Sequence, residues 1–183
     1  MKTVLVHFMC FLLVLFLFSN TGCKQSPVGP HTEDNLLSNS SFEINNNPTL
    51  EGWQSGNQQL AELVHDAPPN GGSWSLQLTS DGAPTSGYVY TPVINLKSGD
   101  IVRLSAFVRT NSKSGGKGII YLSYNNHTKS ASSSDTLWKK ISVTDTLTLT
   151  QRDTLWVTLS SPITERTPFQ QLFDLVELRK IVN

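Results

Sequence analysis

Two carboxylates and a scattered set of aromatic side chains are the residues of this sequence whose chemistry can be named. Glu43 follows Phe42 near the start of its strand-rich part, and Asp174 follows Phe173 near the end. A sandwich that pairs its first and last strands brings two such carboxylates together. Carboxylate oxygens brought together from separate segments suit a hard cation. The alternative leaves Glu43 as a surface residue at a strand end and Asp174 as a turn cap. Among the aromatics, alternation places Trp156 with Thr154 and Thr158, opposite Leu155, Val157 and Leu159. Tyr121 shares a face with Ser123 and Asn125, and Phe107 shares one with Arg103, Ser105 and Arg109. Tyr88 and Tyr90 point together. Rings set among polar residues in this way predict a flat recognition platform, and the alternative is ordinary surface cover of a sandwich.

The elements that must position these residues are strands. Leu76/Leu78, Val102/Leu104/Ala106/Val108, Ile120/Leu122/Tyr124, Ile141/Val143 and Leu155/Val157/Leu159 alternate with polar neighbours, the period-two pattern of half-buried strands. Between them lie turn-forming clusters such as Pro68-Pro69-Asn70-Gly71-Gly72, Asp81-Gly82-Ala83-Pro84, Lys97-Ser98-Gly99-Asp100 and Ser114-Gly115-Gly116-Lys117-Gly118. No helix of useful length is predicted. The fold class expected is all-β, a two-sheet antiparallel sandwich or jelly roll in one domain over 35–183.

The chain begins differently. Met1-Lys2 precedes an almost continuous apolar run from Val4 to Phe18, and Thr21-Gly22-Cys23 ends it. As a helix that run reaches only ~23 Å, short of a ~30 Å hydrocarbon core, so it reads as an export signal over 1–22 and not as a permanent span. Cys10 falls inside the signal, which leaves Cys23 with no partner for a disulfide in an exported protein. Thr21-Gly22-Cys23 resembles the lipobox of bacterial lipoproteins, in which the Cys is lipidated, although Asn20 stands where that pattern usually has Leu. The alternative is an ordinary cleaved signal with an incidental Cys. Residues 23–34 contain two Pro and no periodicity and are expected to form a tether. Lys24 stands where an Asp commonly retains lipoproteins in the inner membrane, so the resemblance implies the outer membrane.

The order of motifs also carries a resemblance for the domain itself. Asn35-Leu36-Leu37 through Phe42-Glu43, Gly52-Trp53, Gly72-Ser73-Trp74-Ser75-Leu76-Gln77-Leu78, Gly99-Asp100 before Leu104 to Arg109, Leu137-Trp138-Lys139 and Phe173 to Leu178 follow one another. Together they resemble the galactose-binding-domain-like jelly rolls, in particular carbohydrate-binding modules of families 4, 9 and 22. The resemblance implies a structural Ca2+ held by Glu43, Asp174 and carbonyls around Ser41 and Gly71 to Ser73. It implies packing roles for Trp53, Trp74 and Trp138, and a poly- or oligosaccharide partner. Sugar rings present an apolar C–H face that lies flat on an aromatic ring, with hydroxyls left for polar side chains. Trp156, Tyr121, Phe107, Tyr88, Tyr90, Arg103, Arg109 and Asn125 are therefore the expected ligand-binding residues.

Other functions find little in the sequence. Lys plus Arg equal Asp plus Glu at 14 each, so there is no basic field for nucleic acid and no polybasic patch for anionic lipid. The histidines have no zinc or triad spacing, and Gly115-Gly116-Lys117-Gly118 has no helix after it to form a phosphate loop. The reading is a non-catalytic, membrane-anchored lipoprotein that holds glycan at the cell envelope. The alternative is a structural or protein-interaction envelope module that has lost the sugar.

Overall fold

Alternation decides the architecture, because each strand has one face that must leave water and one that can stay in it. The computed structural model of the protein describes residues 31–32, 34–80, 86–111, 116–162 and 169–182. Cys23, the export signal, the turn at Asp81 to Pro84 and part of the Ser114 to Gly118 turn lie outside the described residues.

In chain order the strands are β1 (His31–Thr32), β2 (Glu43–Ile44), β3 (Asn47–Pro48), β4 (Gln54–Ser55), β5 (Ala61–Val64), β6 (Ser75–Ser80) and β7 (Gly87–Val93). They continue with β8 (Ile101–Thr110), β9 (Gly118–Tyr124), β10 (His127–Ser133), β11 (Lys139–Thr146), β12 (Leu155–Ser161) and β13 (Phe169–Val182). The helical content described is one 3-10 turn at Gln58–Leu60. One sheet runs β11-β8-β13-β6-β5 with β1 added to β13, and the other runs β10-β9-β12-β7-β4. All pairings are antiparallel. His31–Thr32, the end of the expected tether, thus pairs with Ile181 and Val182.

The core lies between the sheets. Val102, Leu104, Ala106 and Val108 of β8, with Leu76, Leu78, Phe173, Val176 and Leu178, meet Ile120, Leu122, Leu155, Val157, Leu159 and Val89 from the other side. At one edge the two sheets are also tied by charge. Asp145 on β11 accepts from Lys129 at 2.7 Å, and the His127 ring nitrogen lies 2.9 Å from it, both residues being on β10. Burial alone would raise the Asp145 carboxyl, but the Lys129 and then the His127 contacts outweigh it and hold it below the ordinary value.

The tryptophans expected to pack divide. Trp53 is a core residue, 8% exposed, with its ring 5.5 Å from that of Phe42 and its indole N–H donating to the Asn39 carbonyl at 2.8 Å. Trp74 and Trp138 are only half-buried: Trp74 meets the His65 ring edge-on, and the Arg109 guanidinium lies 5.3 Å from the Trp138 centroid. Trp53→Ala is therefore expected to cost ~3–5 kcal/mol in a denaturant titration, because it opens a cavity and strands a buried carbonyl. A loss under ~1 kcal/mol would contradict this packing.

Candidate functional site

The outer face of the five-stranded sheet collects most of the expected aromatics. Cross-strand register places Gln54 opposite Tyr90, Tyr90 opposite Thr158, Thr158 opposite Tyr121 and Tyr121 opposite Ser130, one transverse row over five strands. At ~4.8 Å between strands, Tyr90 and Tyr121 are about 10 Å apart. The adjacent row contains Pro92, Trp156, Ser123 and Thr128, and the row on the other side contains Tyr88, Ser160, Ile119 and Ser132. Tyr88 and Tyr90 stack at 6.1 Å, and Tyr90 meets Trp156 edge-on at 5.6 Å. Three rings thus form a continuous strip. Trp156 is 36% exposed and Tyr88 40%. These three rows carry no charged side chain among the described residues.

Gly56 makes the strip possible at its β4 end. A Cβ there would run into the Tyr88 ring, while the Gly56 amide donates to the Tyr88 carbonyl at 3.1 Å. Burial raises the Tyr121 phenol above its ordinary value, so it remains a neutral hydroxyl over the physiological range. Thr158 and Ser123 were placed beside Trp156 and Tyr121 by alternation, whereas Gln54, Ser160 and Gly56 were not identified from sequence. Alternation gives the side of a strand, and only the strand order gives its neighbours.

The same strand order separates the expected residues into two groups. Arg103, Phe107 and Arg109 lie on β8, in the other sheet, and share no face with Trp156. Arg109 is committed locally: it pairs with Asp66, donates to Asn111 at 3.0 Å and covers Trp138. Asn125 lies in the tight turn between β9 and β10 with φ 53, a conformation that Asn tolerates better than most residues. It stands at the end of the hairpin and outside the rows of the strip.

Glu43 and Asp174 are brought near each other, but not by direct pairing of β2 and β13, the strands that carry them; the first strand to pair with β13 is β1. β2 pairs only with β3. The closing link is made instead by the segment before β2: Val176 donates to Ser40 at 2.7 Å, Leu36 to Leu178 at 2.8 Å, and the Asn35 side chain spans the Val176 carbonyl and the Leu178 amide. β13 carries a bulge between Asp174 and Glu177, with Leu175 at φ 47. Between the carboxylates lies the Gly71-Gly72 turn. A Cβ on Gly71 would strike Asp174 Oδ2, a Cβ on Gly72 would strike Glu43 Oε1, and the Ser73 amide donates to Glu43 at 3.1 Å.

Asp174 is fully buried, and its Oδ2 has no hydrogen-bond partner. Its carboxyl is pushed up to about 8, chiefly by burial; the Leu175 amide at 2.7 Å works against the shift and the Glu43 charge adds to it. Among the described residues no cation pairs with either carboxylate, and no group of three His, Cys, Asp or Glu side chains gathers. An orphaned oxygen on a buried acid beside a second carboxylate fits a hard cation completed by backbone carbonyls.

Comparison with known proteins agrees with this architecture. No curated protein matches the chain. Among solved structures it is similar to a family 16 carbohydrate binding module (17% identity, 79% of this chain and 99% of that one, TM-score 0.62). It is also similar to the CBM22-1 xylan-binding domain of Paenibacillus barcinonensis Xyn10C (18%, 82% and 96%, TM-score 0.58). A third is TmCBM61 in complex with beta-1,4-galactotriose (18%, 80% and 98%, TM-score 0.54). At these identities the likeness establishes the jelly-roll fold. Sequence carries the family itself: the model described as a carbohydrate binding domain matches residues 34–167, most of the chain, and this protein belongs to that family.

Proposed function

We propose that the protein is a non-catalytic glycan-holding lipoprotein of the cell envelope, and that it binds a neutral oligosaccharide on the outer face of the five-stranded sheet. The observation that carries this reading is the strip Tyr88, Tyr90 and Trp156 in an uncharged, hydroxyl-bearing field. Rings supply apolar contact to sugar C–H faces, while Gln54, Thr158, Ser160, Ser123 and Tyr121 supply donors and acceptors for hydroxyls. Two neighbours named above are a xylan-binding domain and a complex with galactotriose, so xylo- and galacto-oligosaccharides are the first ligands to try.

Isothermal titration of the full-length protein in detergent with these oligosaccharides tests the site. Trp156→Ala is expected to weaken binding at least ~10-fold, about 1.4 kcal/mol, with a nearly unchanged melting temperature, because an exposed ring contributes to ligand contact and little to the core. Gly56→Ala should weaken binding as well by displacing Tyr88. Wild-type affinity in both variants would remove the strip from recognition.

We also propose that Glu43 and Asp174 hold a structural Ca2+, which when bound would supply the positive charge that their burial lacks. The sign of the pH dependence follows from Asp174. Its folded value of about 8 lies above the ordinary 3.8, so the ion-free protein is most stable while the acid is protonated and loses stability as pH rises toward 8. In chelator the melting temperature should fall between pH 5 and pH 8. Ca2+ should restore it at pH 8, by roughly 2–4 °C for each kcal/mol of binding, and Asp174→Asn should flatten the pH slope and lose the Ca2+ response. A melting curve at pH 8 that is indifferent to Ca2+ would exclude the ion.

The anchor is proposed from sequence alone, from the apolar run and Thr21-Gly22-Cys23, with Lys24 pointing to the outer membrane. More than one acyl chain on Cys23 would give stable retention, since a single chain binds only marginally. Cys23→Ser should move the protein from the membrane to the soluble fraction. Continued sedimentation with membranes would argue against lipidation.

A further inference from the structure

The outer face of the six-stranded sheet has the opposite character to the aromatic strip. Register sets Thr144, Arg103 and Arg179 in one row, Ser142, Ser105 and Glu177 in the next, and places Lys140 opposite Phe107 beyond them. Arg103, Ser105, Lys140, Ser142, Glu177 and Arg179 line a shallow open recess. Among the described residues that line it, three are cations and one is a carboxylate. Lys140 and Arg179 both donate to Glu177, at 3.2 and 3.0 Å, and Lys140 also lies 5.8 Å from the Phe107 centroid, which holds its ammonium over the recess. Arg103 is exposed and makes no ion pair among the described residues. The chain as a whole is neutral, so this concentration of charge is local. Glu177 stays ionised: burial works against it, but its contacts to Arg179 and Lys140 hold the carboxyl below the ordinary value. At neutral pH the described lining therefore holds three cations against one carboxylate.

We propose that this recess is a second carbohydrate site, for a carboxylate-bearing sugar of an acidic polysaccharide. A guanidinium presents paired N–H donors that match a carboxylate in two parallel hydrogen bonds, and Arg103 has that fork open to solvent. Exposed Ser142 adds a hydroxyl beside it, with buried Ser105 beneath, as a uronic acid ring needs and a bare anion does not. Arg103 and Lys140 are long side chains on one open face, so the site takes an acidic unit within a polymer without enclosing it. The site is independent of the neutral strip, which lies on the other sheet.

The probe is an unesterified oligogalacturonate, titrated into the full-length protein in detergent at low and at physiological salt. Binding is expected, at least ~10-fold weaker at the higher salt because the contact is electrostatic and exposed. Arg103→Glu should remove it and Lys140→Ala should weaken it ~5–10-fold, with melting temperatures near wild type. Trp156→Ala should leave it unchanged. The proposal is overturned by absence of binding, by equal binding of Arg103→Glu, or by loss of binding in Trp156→Ala, which would place the acid on the strip. Equal binding of the methyl-esterified oligomer would show that the carboxylate is not read and would overturn it too. So would equally strong binding of inorganic phosphate, since the recess would then be a charge trap with no fit to a uronic acid.

Discussion

The break in β13 at Asp174 is the constraint on which the rest of the molecule depends. Up to Phe173 the strand is held on both sides, by β6 and by β8, and beyond the bulge it keeps β8 while its other edge passes to the segment around Asn35 to Ser40. The bulge turns one fully buried carboxylate toward Glu43 and leaves one oxygen without a partner. Leu175 and Phe42, each directly beside one of the two acids, both occupy the left-handed region, at φ 47 and 56. Such a conformation costs of order 1–3 kcal/mol in a non-glycine residue and persists only where surrounding contacts enforce it. Here the contacts are the Val176 to Ser40 bond and the packing of the Phe42 ring on Trp53, so the joint between chain start and chain end is also the place where the sandwich stores strain.

The two outer faces differ because the core leaves them free to differ. Inward positions on β8 and β12 read Val, Leu, Ala, Val and Leu, Val, Leu, and they fill one space between the sheets. Outward positions answer only to water and to their cross-strand neighbours. On the five-stranded sheet those positions are aromatic and hydroxylic, and charge is absent from the three rows that hold the strip; Lys129 and His127 of β10 are drawn off to Asp145. On the six-stranded sheet they hold Arg103, Lys140, Glu177 and Arg179. A neutral sugar that stacks and an acidic one that pairs make incompatible demands on a surface, since ions next to a stacking ring retain water that the ring must shed. Two sheets back to back keep an uncharged aromatic face and a charged face apart.

Much of the fold was legible because period-two alternation is local. The strands around Leu76, Val102, Ile120, Ile141 and Leu155 are where the sequence places them, and Trp156 is on the wet side of its strand as Thr154 and Thr158 indicate. What alternation cannot report is which strands are neighbours. It assigns Phe107 and Tyr121 to outward faces with equal force, yet β8 and β9 belong to different sheets, so Arg103 and Phe107 stand apart from Tyr121. The approach of Glu43 to Asp174 was inferred from a pairing of first and last strands, but the first strand to pair with β13 is β1, and β2, which carries Glu43, pairs with β3. The approach arises from a bulge and a glycine turn, features set by φ angles at Phe42, Gly72 and Leu175 that residue type signals only for the glycine. Trp74 and Trp138 follow the same logic: a motif places them, but only the partners His65 and Arg109 show that they cover the surface and do not fill the core.

Strand spacing also determines how recognition on such a surface can change. Tyr90 and Tyr121 are separated by two strand intervals that the hydrogen-bond ladder fixes, so the distance between contact points is a property of the backbone and not of the side chains. Replacing a hydroxyl or a ring within a row changes the groups the face presents while leaving that spacing and the inward face untouched. Sheet edges behave differently, because there a side chain depends on the adjoining turn. Tyr88 is positioned by the absence of a Cβ at Gly56, and its ring takes no support from a strand beyond β4. The centre of the strip therefore has a spacing fixed by the backbone, and its β4 end is where a single backbone substitution can shorten it. That separation of duties fits a chain 17–18% identical to the three structural neighbours named above that shares their jelly roll.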